Sequence, residues 1–172
     1  MIHHHYLAYH HLLHLNNYET LLEIYQMKFY VDLQFKFADF SRAFNYSWNT
    51  SSETEGSHSI KARAYDFAGN WAEKTNNVTV DRTFPTIRIT NPLDGQTVSG
   101  TLIVSADAND NFGIAAVGFY IDGSAKVVDS IPPYQYSWNT LGYSNGIHSV
   151  AARAADRALN QTPQVIYVTV NN

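Results

Sequence analysis

Residues 27–80 and 117–170 are one pattern written twice, at a constant offset of about ninety residues and without an insertion or deletion. Lys28-Phe29-Tyr30-Val31-Asp32 lies over Gly118-Phe119-Tyr120-Ile121-Asp122, and Tyr46-Ser47-Trp48-Asn49-Thr50 over Tyr136-Ser137-Trp138-Asn139-Thr140. Gly56-Ser57-His58-Ser59 lies over Gly146-Ile147-His148-Ser149, Ala62-Arg63-Ala64-Tyr65-Asp66 over Ala152-Arg153-Ala154-Ala155-Asp156, and Val78-Thr79-Val80 over Val168-Thr169-Val170. About 22 of roughly 54 aligned positions are identical, and a period this long is a whole domain rather than a solenoid unit. The chain therefore reads as two tandem modules, with 27–81 as an incomplete first module, 82–84 as a linker and 85–172 as a complete second one. Residues 1–26 do not match the pattern.

The complete copy is a series of short candidate strands separated by turn residues, the pattern of an all-β sandwich. Seven are expected: Ile87–Thr90, Thr101–Ala108, Ala115–Asp122, Ala125–Asp129, Tyr134–Thr140, Ile147–Ala155 and Gln164–Val170. Asn91-Pro92, Asp94-Gly95, Asp122-Gly123, Pro132-Pro133 and Asn145-Gly146 supply the breaks, the last with type I′ turn chemistry. Period-two alternation points Val117, Phe119 and Ile121 to one side, with Tyr134, Tyr136 and Trp138, and Val150, Ala152 and Ala154, forming facing rows. The first copy repeats the rows as Met27, Phe29 and Val31, then Phe44, Tyr46 and Trp48, then Ile60, Ala62 and Ala64. Trp48 and Trp138 are accordingly expected at equivalent buried positions.

Residues Pro85-Thr86-Ile87, Asn91-Pro92, Gly95, Val98-Ser99-Gly100, Asp110-Asn111-Phe112-Gly113-Ile114, Ser137-Trp138-Asn139-Thr140, Gly146-Ile147-His148 and Ala154-Ala155-Asp156 together resemble the bacterial immunoglobulin-like repeat found in tandem on prokaryotic secreted and cell-surface proteins. The likeness spans the second module and covers the first from Met27 onward. It implies tandem immunoglobulin-like β-sandwiches acting as spacers, or as adhesive or carbohydrate-associated accessory domains, outside the cell or at its surface and within a larger parent protein. Neighbouring modules of that parent are the implied partners, and a polysaccharide or surface protein is the alternative one. The fold alone assigns no ligand.

The first twenty-six residues hold His3, His4, His5, His10, His11 and His14 among Leu and Tyr. A shifted reading frame or start, a native but divergent cap, or an added segment would each account for them. This segment reads as irregular or as a short helix from about Tyr18 to Met27, with Leu22 and Tyr25 on one face. His10 and His14 at i, i+4 have metal-ligand character, but no Cys or carboxylate completes a site, and solvated low-complexity sequence is the preferred reading. The first module lacks two opening strands and is expected to expose apolar surface or borrow a cover.

Bulk properties exclude several functions. The formal charge is −4 with no Lys/Arg cluster, which removes the electrostatic footprint required for nucleic acid. No run of eighteen apolar residues and no signal-peptide pattern occur, so neither membrane insertion nor self-directed export is expected. Cysteine is absent, and with it disulfides, thiolate metal sites and Cys nucleophiles.

His58 and His148 recur and invite a catalytic reading, yet no nucleophile or orienting group accompanies them; a packed structural role is expected, and the chain is read as non-catalytic. No cofactor is expected. Calcium is the one alternative: strand order brings the loops after the second and sixth strands of a sandwich to the pole where the chain enters, so Asp81, Asp110, Asp156 and Asn160 are candidate Ca²⁺ ligands. Against this, Asp110 and Asp156 can cap their own turns or pair with Arg82. Asp107-Ala108-Asn109-Asp110-Asn111 spells a cadherin-like calcium motif, but it closes a second strand rather than a last one. Asn45, Asn49, Asn77 and Asn160 are glycosylation sequons, and Tyr120, Tyr143 and Tyr167 are candidates for stacking on sugar.

Overall fold

The computed structural model describes residues 23–172, all of it strand, turn and loop apart from one 3-10 turn at Thr140–Gly142. The histidine-rich segment lies outside the described residues. The chain divides into two compact units after Val80.

In the first unit, β1 (Ile24–Val31), β2 (Gln34–Asp39), β3 (Gly56–Asp66) and β4 (Trp71–Val80) form one antiparallel sheet in the order β2-β1-β3-β4. The second contains β5 (Thr86–Asn91), β6 (Thr97–Val98), β7 (Thr101–Asn109), β8 (Ile114–Ile121), β9 (Ser124–Asp129), β10 (Tyr134–Asn139), β11 (Gly146–Asp156) and β12 (Gln161–Val170). Its sheets run β10-β7-β5 and β6-β12-β11-β8-β9. The repeat is kept in the register: Phe29 opposes Ala62 and Val31 opposes Ile60, as Phe119 opposes Ala152 and Ile121 opposes Val150.

The inward rows of the second unit close on a single core in which Val117, Phe119, Ile121, Trp138, Val150, Ala152 and Ala154 are at most 1% exposed. Small Ala side chains on β11 leave room for the Trp138 indole and the Phe119 ring, so large and small side chains interdigitate between the two sheets.

The turns explain why the repeated polar residues recur. Asp122 and Gly123 both take positive φ, 49° and 73°, and form the β8–β9 hairpin. Asp32 and Leu33 do the same between β1 and β2, at 49° and 67°. Beyond each hairpin a second Asp holds the next loop: Asp129 accepts the Ile131 and Gln135 amides, and Asp39 those of Ser41 and Asn45.

Several expectations are corrected. Residues Ile24–Met27 are strand, not helix, because they pair with the end of β3; the rest of the proposed helix lies outside the described residues. Phe44, Tyr46 and Trp48 do not form a strand. In the second unit their equivalents in β10 are hydrogen-bonded to β7, and no β7 counterpart exists among the described residues of the first. Trp48 is therefore only half-buried, its indole donating to Glu53 at 2.9 Å, whereas Trp138 is 0% exposed. Ile60, Ala62 and Ala64 are likewise only partly covered. Asn145-Gly146 makes no type I′ hairpin, since β10 and β11 belong to different sheets and the chain crosses between them through the 3-10 turn. Finally, an eighth strand, β6, adds to β12 in parallel.

Candidate metal centre

The repeated histidines are clasps. His148 is buried, its Nδ1 donating to Asp122 Oδ2 at 2.7 Å and its Nε2 to the Ser144 carbonyl at 2.9 Å. His58 does the same with Asp32 at 2.6 Å and the Thr54 carbonyl at 2.8 Å. Each ring faces a carboxylate on one nitrogen and a backbone carbonyl on the other, an environment that favours the doubly protonated imidazole. The hydrogen bond to Asp122, followed by that to Ser144, raises the His148 pKa above 6.5; for His58 the Thr54 carbonyl leads and Asp32 follows. Burial acts to raise the Asp122 carboxyl, but His148 and the Ser149 amide outweigh it and leave the group lowered. The pair binds a hairpin to its neighbouring strand and presents no free base.

The carboxylates at one end of the second unit are arranged differently. Asp110 follows β7, Asp156 ends β11, and Asp81 opens the segment entering β5. Each turns one oxygen toward local backbone: Asp110 Oδ1 accepts the Phe112 and Gly113 amides at 2.8 and 3.1 Å, Asp156 Oδ1 accepts the Asn160 amide at 2.9 Å, and Asp81 Oδ1 accepts the Thr83 amide at 3.0 Å. Gly113 permits this tight turn by taking φ 96°. One carboxylate oxygen from each of the three residues lies within 4.8 Å of the other two. Asp156 is 0% exposed, and Asp110 Oδ2 is buried without a hydrogen-bond partner.

Asn160 takes a supporting place. Its Nδ2 faces Asp156 Oδ2 at 2.8 Å and the carbonyls of Thr83 and Asp81 at 3.2 and 3.4 Å. Three acceptors around one nitrogen fix the amide orientation and direct its donor toward the acidic group. Asp66 and Asn70 repeat the turn in the first unit, at 2.9 Å for both bonds. Of the cadherin-like stretch only Asp110 reaches the cluster; Asp107 is exposed and stands opposite Arg88 in the β7–β5 register. Asn45, Asn49 and Asn77 are exposed, while the Asn160 amide is engaged as above.

The tyrosines named from sequence do not form a strip. Tyr120 accepts a hydrogen bond from Arg153, Tyr143 packs edge-on against Trp138 and His148, and Tyr167 stands exposed. A mixed patch of aromatic rings and cationic side chains lies instead on the first unit's sheet. Tyr30 contacts Phe35, Arg63 lies over both Tyr30 and Trp71, Lys61 over Tyr30, and Lys28 over Tyr65. Its signal was the alternation Lys28-Tyr30 and Lys61-Arg63-Tyr65 on the faces opposite the inward rows.

The bacterial Ig domain family matches residues 85–152. No curated protein matches the chain. Among solved structures, the fibronectin(III)-like modules of Clostridium thermocellum CbhA align with a TM-score of 0.67 at 23% identity, covering 90% of this chain and 82% of that one. The endo-beta-1,4-mannanase of Thermotoga petrophila aligns at 0.44 and 17% identity, over 54% of this chain and 21% of that one. The first of these supports the immunoglobulin-like, fibronectin-like sandwich. No described helix is long and apolar enough to cross a membrane.

Proposed function

Starting from a second module that is a bacterial Ig domain over residues 85–152, we propose that the chain is a non-catalytic spacer of an extracellular or surface protein, holding apart whatever its parent carries at either end. One observation carries this reading. The polar residues that recur between modules, and would otherwise be the candidate catalysts, serve their own turns in both: Asp32 and Asp122 with His58 and His148, Asp39 and Asp129 with loop amides, Asp66 and Asp156 with Asn70 and Asn160. A spacer requires this, since resistance to extension depends on pinned loops and on strands bonded along their length. The test is single-molecule pulling of the full chain. The second unit, Asp81–Asn172, should give one cooperative rupture releasing on the order of 300 Å of contour length. Gradual extension without a rupture peak would defeat the proposal, as would a turnover activity abolished by His148→Gln.

A second reading, an adhesive or carbohydrate-binding accessory role, draws support from the aromatic and basic face of the first unit. Aromatic faces stack on the apolar faces of sugar rings, and Trp71 is 56% exposed there. Affinity electrophoresis of the full chain in neutral and uronic polysaccharide gels tests it. Retardation lost in Trp71→Ala favours binding; unchanged mobility in every gel leaves the spacer reading alone.

A further inference from the structure

We propose that the outward face of the first unit's sheet docks an acidic polysaccharide, with Lys28, Lys61 and Arg63 as the groups that receive its uronic carboxylates. The proposal rests on the accessory-binding reading above and narrows it from carbohydrate in general to one chemical class. Uptake of neutral polysaccharide alone would keep that reading and defeat this one.

Two observations carry it. The first is what the rings do. The Arg63 guanidinium lies 4.4 Å from the Trp71 ring centroid and 5.8 Å from that of Tyr30, Lys61 Nζ stands 5.1 Å from the Tyr30 ring, and Lys28 Nζ 4.8 Å from the Tyr65 ring. Rings occupied in this way are poor platforms for a neutral sugar; they hold cations in place. Lys28 opposes Arg63 in the β1–β3 register, and Lys61 lies two residues from Arg63 on the same face, so the three side chains rise from positions about 5–8 Å apart. Among the described residues on this face of β1, β3 and β4 the only carboxylate is Glu73, which leaves the patch positive in a chain of net charge −4. The second observation is the comparison between copies. Tyr30 and Arg63 recur as Tyr120 and Arg153, but the second unit has Gly118 for Lys28, Ala151 for Lys61, Gln161 for Trp71 and Pro163 for Glu73. The same strands pair in the same register without these residues, so the fold does not require them.

Glu73 shows which anion the patch accepts. Its Oε2 takes Arg63 Nε at 2.8 Å, a second Arg63 nitrogen at 2.7 Å and Lys61 Nζ at 3.5 Å. A carboxylate is therefore the group these donors already hold, and the guanidinium fork suits its geometry. Lys28 forms no salt bridge among the described residues. All three cations are half-buried, so little rotamer freedom remains to be lost on binding. A polyuronate repeats its carboxylate along the chain and can meet several fixed cations at once. Its sugar rings present C–H faces between those charges, which the exposed part of the Trp71 indole can meet.

The test is calorimetric titration of the full chain with polygalacturonate at low salt, beside a neutral galactan and a single-stranded oligonucleotide. Polygalacturonate should bind, the galactan should not, and binding should weaken as NaCl is raised, because exposed charges are screened. Arg63→Gln and Lys61→Gln should each lower the affinity about fivefold. Both also unpair Glu73, so Lys28→Gln, which does not, should show a loss of the same direction. Glu73→Gln should instead raise the affinity, since it removes the carboxylate that competes for the same donors, a sign that loss of folding cannot imitate. Arg153→Gln, the matching change in the second unit, should bind as the wild type does. A galactan or an oligonucleotide bound as tightly as polygalacturonate, unchanged affinity in Arg63→Gln and Lys28→Gln, or weaker binding in Glu73→Gln would each overturn the proposal. Binding of none of the three would defeat it together with the accessory reading.

Discussion

Replacing Leu159 with glycine should stabilise the second unit, although the change deletes a large apolar side chain. Leu159 sits at φ 71° in the turn that joins β11 to β12, where the first unit has Gly69 at φ 88°. The left-handed region costs a non-glycine residue about 1–2 kcal/mol, because Cβ crowds the following carbonyl. Little opposes its removal: the side chain is 70% exposed, and the turn is held by backbone and by Asp156, through the Leu159 amide to the Asp156 carbonyl at 3.3 Å and the Asp156 amide to the Asn160 carbonyl at 3.1 Å. The opposing effect lies in the unfolded chain, where glycine gains conformational freedom equivalent to about 0.4–1 kcal/mol. The difference leaves a net gain of about 0.8 kcal/mol, or about a fourfold change in the unfolding equilibrium. Hydrogen exchange in the full chain isolates the unit concerned, since the slowest amides, such as those of Val150 and Val168 in the β11–β12 ladder, report its global opening. Their exchange should slow about fourfold. Leu159→Ala keeps the positive φ and should remain within about 0.5 kcal/mol of the wild type. Equal effects of Gly and Ala, or a loss of stability with Gly, would refute the argument from backbone strain.

Trp138→Ala, which empties a site of 0% exposure against Tyr143 and His148, should cost about 3–5 kcal/mol; Trp48→Ala should cost clearly less in matched urea titrations, because Trp48 is only half-buried. His148 contributes stability that is fully present below its ordinary value of 6.5 and is lost as pH rises through the raised folded value, while the lowered Asp122 contributes above 3.8 and fails as pH falls through its folded value. Melting temperature should therefore decline on the alkaline side from pH 6.5 upward, and a His148→Gln variant that keeps the same decline would show that the clasp is not its source. Residues 81–172 expressed alone should melt in one reversible transition, since the core of the second unit is built from its own strands; a broad or irreversible melt would contradict this.

Alternation and repetition in the sequence were enough to establish the β-sandwich class, the inward rows of β8 and β11, the Asp122-Gly123 hairpin and the buried role of His148. These depend on side-chain period and turn chemistry, which are properties of consecutive residues. Sequence also placed Asp81, Asp110 and Asp156 at one pole, by strand order alone. The depth of burial was not legible. Trp48 and Trp138 stand in identical pentapeptides, yet only the second is covered, because Trp138 belongs to a strand that β7 and β5 extend into a sheet, and those strands have no counterpart among the described residues of the first unit. The Asn145-Gly146 dipeptide carries hairpin chemistry, but its flanking strands belong to different sheets, and a local preference of a fraction of a kilocalorie yields to that crossing. At the acidic cluster the composition could name the carboxylates, whereas which oxygen caps a turn and which is left buried without a donor depends on where three distant segments meet in space.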